Sequence, residues 1–137
     1  MTAVARGPET LAVLSKLAAG GVMVGDGVRP DAWATATAGY VVLYPLMVDP
    51  DGPAADAYAD AESEYQITAV GRTRAQAQFA ADKARSVMLA PGLSIPGRAL
   101  MQPVEWSPSR GVTRDDDEDP PLFYAVDSYL IRTTPAS

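Results

Sequence analysis

The sequence predicts an α+β fold, a mostly antiparallel sheet with two helices packed on one face, in the order α-β-β-β-α-β-β. Three observations carry this. YQITAV alternates, with Tyr65, Ile67 and Ala69 on one side and Gln66, Thr68 and Val70 on the other, the period of a half-buried strand. Immediately after it the apolar period changes to that of a helix. Two further β-rich runs, YVVLYPL and LFYAVDSYLIRT, lie on either side of that unit, and one more amphipathic stretch opens the chain.

Taken in order, Pro8 and Glu9 begin a short helix in which Leu11, Leu14, Leu17 and Ala18 share a face, with the proline and the acid at tolerated first-turn positions. Gly20 and Gly21 end it, and Val22 to Val24 form a brief strand before the Asp26-Gly27 turn. Tyr40 to Leu46 lacks alternation, as expected of a strand covered on both faces, with Pro45 near its end or on an edge. DPDG from Asp49 marks a turn, and the alanines and acids after it read as a loop over about 49–63.

Beyond the alternating strand, Gly71 is a break, Thr73 an N-cap, and Gln76 can reach back to the cap's N–H. The helix predicted from Arg74 turns Ala77, Ala81, Ala84 and Met88 inward, widened by Ala80 and Val87, until Pro91 and Gly92 stop it. Ala99 to Trp106 reads as a strand broken by Pro103. SPSRGVTRDDDEDPP reads as a second acidic loop, about 107–121, before the last strand, Leu122 to Thr133. The 137 residues make one domain of ordinary size, able to bury about two thirds of its unfolded surface.

Composition narrows the chemistry. There is no cysteine and no histidine, so disulfides, zinc-thiolate sites, thiol nucleophiles and the commonest general base are all missing. A net charge of -6 and a pI near 4.5 argue against gripping nucleic-acid phosphates. No signal peptide is evident and no apolar run reaches the roughly 20 residues of a membrane span, so a soluble protein of a reducing cytoplasm is expected.

Each candidate motif has a plain alternative. Gly20 and Gly25 have the spacing of a phosphate loop, but Asp26 stands where a lysine is required, so a helix stop and a turn explain them. Asp115, Asp116, Asp117, Glu118 and Asp119 could attract a hard cation, but lack alternating ligands and a central glycine; a solvated acidic loop, available as an interaction surface, is the better reading. Lys83 and Ser86 are three apart on a helix, an ordinary surface pair, and Glu62 and Glu64 share a strand face without pocket partners. No catalytic constellation, cofactor motif or metal site emerges.

Arg72 and Arg74 stand out because cations at a helix N-terminus oppose its dipole at a cost of about 0.3–1 kcal/mol each. Either they reach solvent or pair with the acids before Tyr65, or they meet an acidic loop, such as Asp115 to Asp119, of a neighbouring subunit.

Element order and several strings, ETLAVLSKL, VGDGVRP, YVVLYPL, YQITAVGRTRAQAQFAADKARSVM and LFYAVDSYLIRTTP, together resemble the tail-terminator (tail-completion, minor tail) proteins of long-tailed bacteriophages. The resemblance spans most of the chain and leaves the two acidic loops unexplained. It implies a non-enzymatic virion protein at the head-proximal end of the tail, made in the host bacterial cytoplasm. Such a protein caps the tail tube as a ring, usually a hexamer, ends its polymerisation and offers the surface for head joining. The implied partners are further copies of itself, the tail tube protein and a connector or stopper protein. DNA passes through the lumen without specific binding, and neither cofactor nor membrane is involved. The competing readings are another phage neck or connector module of similar fold and, far behind, a small histidine-free enzyme.

Overall fold

The computed structural model describes residues 6–31, 39–51, 60–117 and 120–136. Its elements are α1 (Arg6–Ala19), β1 (Val24–Asp26), β2 (Tyr40–Asp51), β3 (Asp60–Gly71), α2 (Arg74–Leu89), β4 (Arg98–Leu100), β5 (Glu105–Asp115) and β6 (Leu122–Pro135). The fold is the predicted α+β sandwich.

All six strands join one sheet, ordered β1-β2-β3-β6-β4, with β5 also on β6. Pairing is antiparallel except for β1 beside β2. β4 takes the end of β6 near Thr134 and β5 takes Leu122 to Leu130, so the two share its outer edge.

β3 is the centre of the molecule. Ala61, Ser63, Tyr65, Ile67, Ala69 and Gly71 are buried on the helix side, while the residues between them are half-buried on the other. The register sets Tyr65 opposite Tyr129, Ala69 opposite Ala125 and Ser63 opposite Ile131, so the helix-facing floor is continuous across β6. Val41 and Leu43 extend it into β2.

α2 lies on this floor through Ala77, Ala80, Ala81, Ala84 and Met88. Small side chains allow the helix to approach closely, and Gly71 allows it to begin there: a Cβ on Gly71 would lie 2.5 Å from the Ala77 nitrogen. Thr73 caps the helix by accepting from the Gln76 N–H at 3.1 Å. The Gln76 side chain reaches back one residue further than predicted, accepting from the Arg72 N–H at 2.9 Å rather than from that of Thr73.

The face of α1 differs from the prediction. Val13 and Leu17 are fully buried, and Glu9 and Thr10 are buried with them, whereas Leu11 is 65% exposed and Ala18 faces solvent. The helix is rotated because its buried stripe is partly polar. Tyr65, rising from the sheet floor, donates to Glu9 Oε1 at 2.7 Å and lies 3.2 Å from Thr10 Oγ1. A stripe that follows leucines alone cannot see this contact.

The described parts of two expected loops are largely strand. β2 continues past Pro45 with a register shift before Met47, and Asp49 to Asp51 pair with Glu62 to Asp60. The expected loop at 107–121 is mostly β5, which accommodates Pro108 by shifting register twice against β6. The broken strand expected over Ala99 to Trp106 resolves into β4 and the start of β5, separated by residues 101–104.

Candidate assembly surfaces

The two arginines singled out in the sequence, Arg72 and Arg74, are exposed at the N-terminal end of α2. The acids before Tyr65 are out of their reach. Glu64 is seven strand residues from Gly71, about 23 Å along β3, and Glu62 accepts from Arg132 Nε at 3.1 Å.

The acidic segment, by contrast, lies at the same end of the sheet. Gly71 is opposite Phe123 in β6, and Phe123 is opposite Arg114 in β5, which places the β5–β6 connection two strands, roughly 10 Å, from the end of β3. Asp115 and Asp116 have partners of their own. The Asp117 N–H donates to Asp115 Oδ1 at 3.0 Å, and Asp116 pairs with Arg114 at 2.6 Å. Glu118 and Asp119 lie outside the described residues.

Arg29 also belongs to this end, a role its sequence context, a turn after a short strand, did not signal. Together with Asp115, Tyr40, Val70, Leu122 and Tyr124 it lines a cleft of about 240 Å³ on the sheet face opposite the helices. Opposite charges thus flank an aromatic floor. Among the described residues no group of three or more acidic side chains converges as a metal-binding cluster.

A second cluster went unrecognised in the sequence. Trp106, on β5, donates its indole N–H to Asp127 Oδ1 at 3.0 Å, and the Arg85 guanidinium lies over the indole 4.7 Å from the ring centroid. Asp82 holds Arg85 at 3.0 Å. The Asp127 carboxyl is pushed above its usual range by burial, an effect opposed by the Trp106 hydrogen bond and by Arg85. The register that puts Trp106 opposite Tyr129 brings these residues together, and sequence separations above 20 residues hid it.

The weaker motifs are structural. A Cβ on Gly20 would lie 2.5 Å from Val87 Cγ2, and one on Gly25 would lie 1.9 Å from the Val28 carbonyl oxygen, so both glycines serve close packing. Lys83 lies over the Phe79 ring at 5.8 Å, and Ser86 faces solvent. Lys16 donates to the Ala90 carbonyl at the end of α2 and ties the two helices together. Among the described residues no helix is long and apolar enough to cross a membrane.

Comparison with known proteins places the architecture. No protein-family model matches the chain, and no curated protein matches it. Among solved structures, a chain in one described as the virion of a native gene transfer agent (GTA) particle is similar in fold. It has a TM-score of 0.64 and 22% sequence identity, and the match covers 97% of this chain and 98% of that one. The likeness of fold therefore runs over nearly the whole length of both chains.

Proposed function

We propose that this protein is a structural component of a phage-like virion that forms a ring on the finished tail tube, ends its growth and presents a surface for head joining. The observation that carries the reading is the end-to-end likeness of fold to a chain of a gene transfer agent virion. The resemblance of the sequence to tail-terminator proteins supplies the more specific role. A chain without histidine or cysteine, in which Arg85, Arg114 and Arg132 are engaged in surface ion pairs, suits assembly rather than catalysis.

In this reading the chain is a single domain, and copies associate head to tail, each offering two different patches, as a closed ring demands. Arg72 and Arg74 of one subunit meet the Asp115 to Asp119 segment of the next. That contact offsets the unfavourable position of two cations at the start of α2. The net charge of -6 favours a lumen to which DNA does not adhere.

The test is the mass of the purified protein, alone and with tail tubes, by mass photometry. A ring mass, six subunits being the expected count, supports the reading, and Arg74→Glu should lower ring yield while leaving the monomer folded, with a melting temperature no lower than that of the wild type. A protein that stays monomeric in both conditions refutes the ring. One that binds a connector assembly but no tube is instead another component of the neck.

A further inference from the structure

β5 has the least regular ladder of the long strands. Its register against β6 shifts between Pro108 and Arg110 and again between Arg110 and Thr113. The regular part ahead of those shifts is short, Glu105 to Pro108 opposite Leu130 to Asp127, and the proline in it has no N–H to give to the ladder. Before it, residues 101–104 lie outside the strands.

Burial follows the same division. Every residue from Glu105 to Pro108 is exposed, whereas Val104 is buried and Val112 packs against the core. A stretch anchored at both ends and exposed between them can open locally while the core stays packed. Its few ladder bonds hold it weakly, so its position depends on side chains.

Trp106 supplies the described contacts between this stretch and the helix layer. Its place opposite Tyr129 sets it on the α2 side of the sheet. There the indole N–H donates to Asp127 Oδ1 of β6 at 3.0 Å, and the Arg85 guanidinium of α2 lies 4.7 Å from the ring centroid. Asp82, three residues earlier on the helix, holds Arg85 at 3.0 Å. One side chain thus joins β5, β6 and α2 by a hydrogen bond to a carboxylate and a stacked cation, two of the stronger polar contacts available at a surface.

Closing this contact has a cost. Asp127 is half-buried, and loss of water holds its carboxyl above the usual range despite both partners. Opening returns the carboxylate to water, so the open and closed arrangements differ by less than the contacts alone would give.

We propose that Glu105 to Pro108 form a strap, latched to α2 through Trp106, which lifts from β6 as a unit while β3, β6 and α2 stay packed. The strap gives the molecule an edge that changes shape without loosening its core. It lies within a single chain and does not depend on the ring.

Hydrogen exchange of the full chain at rising, sub-denaturing urea, read by mass spectrometry, tests the strap. Amides of residues 105–107 should open with a lower free energy and a shallower urea slope than those of β3, which open with the whole fold. Trp106→Phe keeps a ring without the N–H and should quicken exchange in the strap about 10- to 100-fold, with the shallow slope retained. Arg85→Gln removes the stacked cation and should quicken it roughly two- to fivefold; it serves if Trp106→Phe does not fold. Ser107→Ala, on the strap but outside the latch, should leave the exchange as in the wild type. Strap amides that share the free energy and slope of β3, strap amides unprotected in the wild type, or exchange that neither latch variant quickens would each overturn the proposal.

Discussion

Tyr65 and Tyr129 stand opposite each other in adjacent strands, both essentially without solvent access, yet their hydroxyls have opposite fates. Tyr65 donates to the buried Glu9 carboxylate at 2.7 Å. The Tyr129 hydroxyl has no hydrogen-bond partner among the described residues. Removing the same oxygen should therefore change stability in opposite directions. Tyr65→Phe deletes a hydrogen bond to a charged group, worth about 1.5–3 kcal/mol, and leaves a buried carboxylate one donor short. For a chain of this length, where 1 kcal/mol moves the midpoint by about 3–5 °C, the melting temperature should fall by about 5–15 °C. Tyr129→Phe removes a buried polar atom that gains nothing from the fold, and should be neutral or stabilising by about 1 kcal/mol. Urea unfolding of both variants checks this, with the slope unchanged if only native contacts are altered. A Tyr65→Phe variant within 0.5 kcal/mol of wild type would refute the placement of α1 over the sheet, and a Tyr129→Phe variant that loses more than 1 kcal/mol would refute the unpartnered state of the Tyr129 hydroxyl.

The packing and the charges lead to three further outcomes. Ala81→Leu or Ala84→Leu should cost about 1–3 kcal/mol by overpacking the contact between α2 and the sheet, measured by thermal melts. Gly71→Ala should destabilise by a similar amount, because its Cβ would meet the Ala77 nitrogen, and hydrogen exchange should show the first turn of α2 opening earlier. Asp127 is an acid whose folded pKa is raised above its ordinary value of 3.8, so the folded state holds this proton more tightly and the group's contribution to stability falls as pH rises through that window. Asp127→Asn keeps an acceptor for the Trp106 N–H. It should remove that part of the pH dependence, seen in denaturation midpoints between pH 3 and pH 6.

The central unit was legible because its signals are local. The alternation of Tyr65 to Val70 and the alanine stripe from Ala77 to Met88 each report a face through neighbouring residues, and both faces are where the periodicity puts them. The face of α1 was not legible, because its buried positions include Glu9 and Thr10, made tolerable only by Tyr65 more than fifty residues away. β5 was hidden by its composition: Pro108, Gly111 and a run of acids are loop signals, and only the irregular ladder with β6 makes them a strand. Among site residues, the sequence singled out Arg72, Arg74 and the acidic run. The structure places the described members of that set at one end of the sheet. The Trp106 cluster depends on register across β5 and β6 and on the position of α2, and no short string encodes it.

The proposed role at the end of a tail tube can be tested in one assay. Gold-labelled protein added to polymerising tail tubes and imaged in negative stain tests it directly. Label at one end of each tube, with no further elongation from that end, is the expected result. Label distributed along the tubes, or tubes that keep growing past a labelled end, would contradict it.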